Sequence, residues 1–244
     1  MKNIKLTLLF DGANYHGWQI QKNGITIQEI MENTVSKIVG CKTHVVGCGR
    51  TDAGVHAKGF VCNFTADTDI PGDKFFYALN SRLPKDIICI NSKEVSENFH
   101  SKKSCIKKTY SYYITNGKFP DIFNHSWHYP HPLDIDKMNK AARAFLGTHD
   151  FVGFAASGFT VKTTVRTIYA LEVSRNEELV RIDVTGNGFL YNMVRIIAGT
   201  LAFVGSGKIN PEEMQDIIAS RDRTRAGMTA PADGLFLSEV FYEE

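Results

Sequence analysis

The stretch "THVVGCGRTDAGVHAKGFVCNFTA", residues 43–66, sets two short runs of β-branched and aromatic residues on either side of a glycine-rich loop. "THVVGC" has the composition of a strand entering the loop, and "GFVCNFTA" of one leaving it. Such a unit needs a sheet around it. The loop holds Arg50 and Asp52 two residues apart, among Gly47, Gly49 and Gly54.

Outward from this loop, the chain alternates strands with helices. Residues 4–10 read as a strand that runs into the Asp11–Gly12 turn. Thr26 and Glu29 have the spacing of a capping box. Ile27, Ile30, Met31, Val35 and Ile38 follow at helical spacing, with Gly40 placed to stop the helix. A short helix is predicted over residues 75–80 and a strand over 86–91. "KTYSYYIT" (108–115), "TIYALEVSR" (167–175), "LVRIDVTG" (179–186) and "GLFLSEVFY" (234–242) are further strands. Ile135, Met138, Ala142, Phe145 and Leu146 make one apolar helical face ended by Gly147. A second helix is expected from about Phe189 to Val204. A third starts at Asn210 and Pro211, as cap and first helical residue. The pattern is α+β, with a mostly antiparallel sheet in each half. A Lys-rich segment, "SKKSCIKKTY" (101–110), marks the crossover, so halves of 1–103 and 104–244 are expected.

Composition narrows the function classes. The chain has 244 residues, 43% hydrophobic and 22% charged, with a net charge of +2. That charge is too small to announce a polyanionic partner, so local clustering matters more. No run approaches the ~18 uninterrupted apolar residues of a membrane helix. Five cysteines without a C-x-x-C fit reduced thiols in a cytoplasmic protein. "GSGKIN" (205–210) lacks the remainder of a phosphate loop, and the Gly47/Gly49 pair lacks the third glycine of a dinucleotide fingerprint. His125, His128 and His131 are close in sequence but have no carboxylate or cysteine at ligand spacing, so no metal is expected. "KGFVCNF" (58–64) partly matches an RNA-recognition strand with exposed aromatics, but a core strand is the better reading.

Asp52 then stands alone with arginine support. A poorly hydrated carboxylate kept ionised by a neighbouring Arg is suited to nucleophilic attack. From spacing alone, an Asp that only caps its own turn is the favoured reading. Asn192 and Arg195 lie three apart on a very apolar segment, and a buried Arg needs an anionic partner, for which Asp52 is a candidate.

"GRTDAGVHA" resembles the signature of the tRNA pseudouridine synthase A family. The likeness extends through "YHGWQIQ" (15–21) with "TIQEIMEN" (26–33) and through "FHSKKSCIKKTYSYYI" (99–114). It continues in "DFVGFA" (150–155) with "TTVRTIY" (163–169), "GNGFLYNMVRIIAGTL" (186–201) and "RAGMTAPADGLFL" (225–237). The resemblance implies two related ferredoxin-like or RNA-recognition-like units, a largely antiparallel mixed sheet with flanking helices, and an active-site cleft between the halves. It implies a cytoplasmic homodimer, without metal or organic cofactor, that isomerises uridine to pseudouridine at positions 38–40 of the tRNA anticodon arm. By the same resemblance Asp52 is the nucleophile and Arg195 its partner. Tyr110 packs against the target base, and Arg50 acts near the displaced nucleotide. Tyr112, two residues on, shares the face of Tyr110. Lys102, Lys103, Lys107, Lys108, Arg221, Arg223 and Arg225 are candidate phosphate contacts. Phe60, Asn63, Lys102 and Met228 depart from the family pattern, which more often has Gln, His, Arg and Pro there.

Overall fold

The computed structural model describes residues 1–120, 125–158 and 161–243. The chain forms two compact units, residues 1–106 with 236–244 and residues 107–235. The last strand therefore belongs with the first unit, whereas a split after residue 103 places it in the second.

In the first unit, strand β1 (Lys2–Phe10) lies between two antiparallel neighbours, β3 (His56–Ala66) and β4 (Ile87–Val95). Between β1 and β3 in sequence come helix α1 (Ile27–Val39) and the two-residue strand β2 (Val46–Gly47), which pairs with β3. Helix α2 (Phe75–Asn80) packs on β4. Alternation decides which face is covered: Ile4, Leu6, Leu8 and Phe10 are buried, while Lys5, Thr7 and Leu9 face the other way. Ile27, Met31 and Val35 of α1 supply the opposing layer. Thr26 caps α1 by accepting from Glu29 N–H at 3.3 Å, and Gly40 ends it in the left-handed region at φ 78°. Phe60 and Phe64 are fully buried, so residues 58–64 form a core strand.

The second unit is built on β5 (Cys105–Thr115), β7 (Gly147–Asp150), β8 (Val165–Asn176) and β9 (Leu179–Gly186), in the antiparallel order β5-β9-β8-β7. Strand β6 (Trp127–His128) runs parallel to the end of β5. Helices α3 (Ile135–Ala142), α4 (Met193–Gly205) and α5 (Met214–Ser220) accompany the sheet, with α3 packed against α4. The apolar face expected over 135–146 stops early. After Ala142 the chain tightens into a 3₁₀ turn, and Leu146 is extended and exposed. Strand β10 (Leu235–Tyr242) joins the first unit's sheet by pairing parallel with β3, Phe236 opposite His56 and Leu237 opposite Ala57.

All five cysteines are free thiols. Burial pushes the Cys89 thiol up to about 12 and also pushes the fully buried Cys62 thiol well above its ordinary value, so both stay neutral at physiological pH. No helix among the described residues is long and apolar enough to cross a membrane.

Candidate active site

Asp52 lies half-buried in the loop between β2 and β3, beside the buried Thr51 and the exposed Arg50. The loop backbone is clamped from outside itself. The Trp18 amide donates to the Thr51 carbonyl at 3.3 Å, and the Gly54 amide donates to the Tyr15 carbonyl at 3.2 Å. Within the loop, the Val55 amide donates to the Asp52 carbonyl at 3.2 Å, and Gly54 turns the chain at φ 78°.

The N-terminal segment approaches so closely that only glycine fits. Gly17 has φ 77°, and a Cβ there would sit 2.2 Å from the Thr51 carbonyl oxygen. The Trp18 ring stacks on Phe60 at 4.2 Å, and a Cβ on Gly47 would strike both rings. Tyr15 donates its hydroxyl to Asp86 at 2.7 Å, which ties this brace to the start of β4. Burial and that bonded carboxylate both push the Tyr15 phenol up, so it remains a donor. "YHGW" is thus the floor on which the Asp52 loop rests.

Two of the departures from the family pattern also serve this unit. Phe60 is the stacking partner of Trp18. Asn63 donates to Asn3 Oδ1 at 2.9 Å and accepts from the Ser101 amide at 2.9 Å, so it pins the crossover segment to the sheet.

In the second unit, Tyr110 and Tyr112 share one face of β5. Tyr110 is 9% exposed and meets Phe189 edge-on at 5.1 Å. Tyr112 is fully buried and donates to the Pro231 carbonyl at 2.8 Å. Burial drives its phenol far up, with Asp233 adding to the shift and Arg195 opposing it. Tyr112 is a core residue whose hydroxyl is held by the segment at 227–231.

Arg195 is the one charged residue of α4, a helix otherwise buried save for Phe203. Its Nε donates to the Ala230 carbonyl at 2.7 Å and its Nη1 to Asn192 Oδ1 at 2.7 Å, while the Ala230 amide donates back to the Arg195 carbonyl. The segment around Ala230 is held by close approach, because a Cβ on Gly199 would lie 1.9 Å from the Met228 carbonyl oxygen. The Gly227 amide also donates to Thr200 Oγ1 at 2.8 Å. Residues 227–231 are therefore a strap along α4 that orients Arg195 and Tyr112.

The basic residues fall into two groups. Lys102 and Lys103 are exposed in the first unit, while Lys107 and Lys108 are half-buried on β5 in the second. Arg221 pairs with Asp150 at 3.3 Å. Arg223 donates to the Gly227 carbonyl at 2.8 Å and to Thr229 Oγ1 at 3.1 Å, so two of its nitrogens shape the strap. Arg225 bonds the Asp216 carbonyl at 3.4 Å. The three histidines have separate surroundings: His125 pairs with Asp233 at 2.8 Å, His128 bonds the Gly117 carbonyl, and His131 meets the Tyr129 ring edge-on.

A family model described as tRNA pseudouridine synthase matches residues 7–102 and 141–243. The chain belongs to this family. The tRNA pseudouridine synthase A of Ruminiclostridium cellulolyticum is 51% identical over 245 residues, covering 99% of this chain and 100% of that protein. The same enzyme of Thermoanaerobacter sp. (strain X514) is 48% identical over 244 residues with equal coverage. A tRNA pseudouridine synthase A 2 of Clostridium perfringens is 47% identical over 244 residues, again covering 99% of this chain and all of the relative. The Asp52 loop with its brace lies inside the matched segments, and so does Arg195 with its strap. The protein is an isomerase of the pseudouridine synthase class.

Proposed function

We propose that this pseudouridine synthase acts on tRNA, on uridines 38–40 of the anticodon arm, with Asp52 as its nucleophile. The observation that carries the assignment is the loop itself. A half-buried Asp sits on a backbone fixed by Tyr15, Gly17 and Trp18, inside the segment that carries the family signature.

The net reaction breaks the C1′–N1 bond and forms C1′–C5. N1 departs with the bonding electron pair, the base turns, and C5 takes its place at C1′. The C5 hydrogen leaves as a proton and N1 gains one. Electron count and composition are unchanged, so neither oxidant nor co-substrate is consumed. Asp52 either attacks C1′ or assists departure of the base through a glycal. Arg195 is assigned to keep the Asp52 carboxylate anionic. Tyr110 is assigned to the target base. Unstacking a base costs a few kcal/mol, of which aromatic stacking returns ~1–3 kcal/mol. Arg50, exposed beside Asp52, is assigned to the displaced nucleotide, and the exposed or partly exposed lysines and arginines to phosphates. The working form in this reading is a cytoplasmic homodimer.

The test is tritium release from anticodon-arm tRNA labelled with [5-³H]uridine. Wild type releases tritium, and Asp52→Asn lowers release on the order of 10³-fold or more while still binding the tRNA. Equal release by both proteins sinks the nucleophile assignment. Release from another RNA but not from tRNA keeps the chemistry and replaces the substrate.

A further inference from the structure

The turn before α4 carries a local anomaly. Asn192 has φ 59° and ψ 8°, a left-handed conformation that is disfavoured for a residue with a Cβ. It also stands at the N-cap of α4. There an Asn side chain ordinarily accepts from an amide of the first turn, yet Asn192 makes no such cap bond. Its Oδ1 instead accepts from Arg195 Nη1 at 2.7 Å. The backbone strain and the forgone cap have the same outcome. The carboxamide is aimed at the guanidinium one turn further on. With Nε tied to the Ala230 carbonyl at 2.7 Å, the plane of the guanidinium is fixed at two of its nitrogens.

We propose that Asn192 is a positioning residue for the isomerisation, holding the Arg195 guanidinium in the orientation its function requires. This rests on the assignment of Arg195 made above. A residue chosen only to begin a helix would be served better by an Asn, Ser or Asp in extended geometry, capping the first turn. A residue chosen only for a left-handed turn would be served better by Gly. Asn, like Asp, tolerates this backbone and presents an oxygen to Arg195, and Asn does so without adding a negative charge.

Asn192→Gly separates the roles, because glycine keeps the left-handed turn and removes the carboxamide that holds Arg195. The expected result is an unchanged or raised thermal midpoint, an unchanged KM for tRNA, and a kcat about 10–100-fold lower, the size of effect that a slightly misplaced catalytic group produces. In an Arg195→Gln background, Asn192→Gly should cause no further loss, since both changes act through one guanidinium. Wild-type kcat in Asn192→Gly, with Arg195→Gln impaired, overturns this inference and leaves the Arg195 assignment standing. Wild-type kcat in Arg195→Gln overturns both. A lowered thermal midpoint, or a full further loss in the Arg195→Gln background, would make Asn192 a support of the helix and overturn the positioning role.

Discussion

At the scale of single residues, burial separates side chains that the sequence presents as equals. Tyr110 and Tyr112 occupy the same face of the same strand, so alternation gives them one reading. The structure spends the Tyr112 hydroxyl on the Pro231 carbonyl and leaves it no exposure, while Tyr110 keeps 9%. If Tyr110 contributes a ring to the target base, the hydroxyl is dispensable and the π-face is not. Tyr110→Phe should keep kcat/KM near wild type. Tyr110→Leu, which fills much of the same space beside Phe189 without a π-face, should lose the ~1–3 kcal/mol of stacking, about 5–150-fold in kcat/KM. Steady-state tritium release below both thermal midpoints measures this, and a Leu variant as fast as wild type would remove Tyr110 from the base. Asp52 itself was legible as a residue of interest from its glycines and Arg50. Spacing could not show that its loop is gripped by Tyr15 and Trp18, because that grip uses backbone carbonyls and amides that any sequence possesses.

At the scale of elements, periodicity was a good guide where an element is long and one face is covered. Strand β1, helix α1 with its Thr26 cap and Gly40 stop, and strands β8 and β9 lie close to where the pattern puts them. It failed where a local backbone state overrides hydrophobic spacing. Helix α4 begins at Met193 rather than near Phe189, because Asn192 is left-handed and the chain cannot be helical through it. The strand expected at 43–48 is laddered only at Val46 and Gly47, since the Thr43 and Val45 amides donate to Ser36 Oγ and Glu32 Oε1 of α1 instead. Gly17 is the sharpest example of an element whose purpose is hidden in sequence, being one glycine in a short polar turn. With φ 77° and a Cβ position 2.2 Å from the Thr51 carbonyl oxygen, Gly17→Ala must displace either its own turn or the Asp52 loop. The expected cost is about 1–3 kcal/mol of stability, read from urea denaturation, with a fall in kcat well beyond that of Gly40→Ala. Gly40 also has a positive φ but has open space around it, so its variant pays the backbone cost alone. Equal kcat in the two variants would show that the close approach beneath the loop does not set the position of Asp52.

At the scale of the whole molecule, chain order and unit membership part company at the C-terminus. "GLFLSEVFY" is recognisable as a strand, but nothing in its residues reveals which sheet receives it, because a parallel pairing carries no hairpin signal. The structure seats it against β3. The Phe236 ring stacks on His56 at 4.7 Å, Leu237 is buried, and the Tyr242 hydroxyl reaches the Ser101 carbonyl at 2.8 Å. Lys5 of β1 lies over the Tyr242 ring at 4.7 Å. The strand therefore stabilises residues more than a hundred positions upstream, on the sheet that carries the Asp52 loop. Leu237→Ala should cost about 2–5 kcal/mol, as for other buried leucines. Its effect on native-state hydrogen exchange should be local to the first unit. Amides of β1 and β3 should exchange faster, while those pairing β8 with β9 should keep their protection. Val184→Ala, in the buried face of β9, should show the reverse. If Leu237→Ala instead loosens β8 and β9 as much as β1 and β3, the two units open as one cooperative body, and the last strand stabilises both.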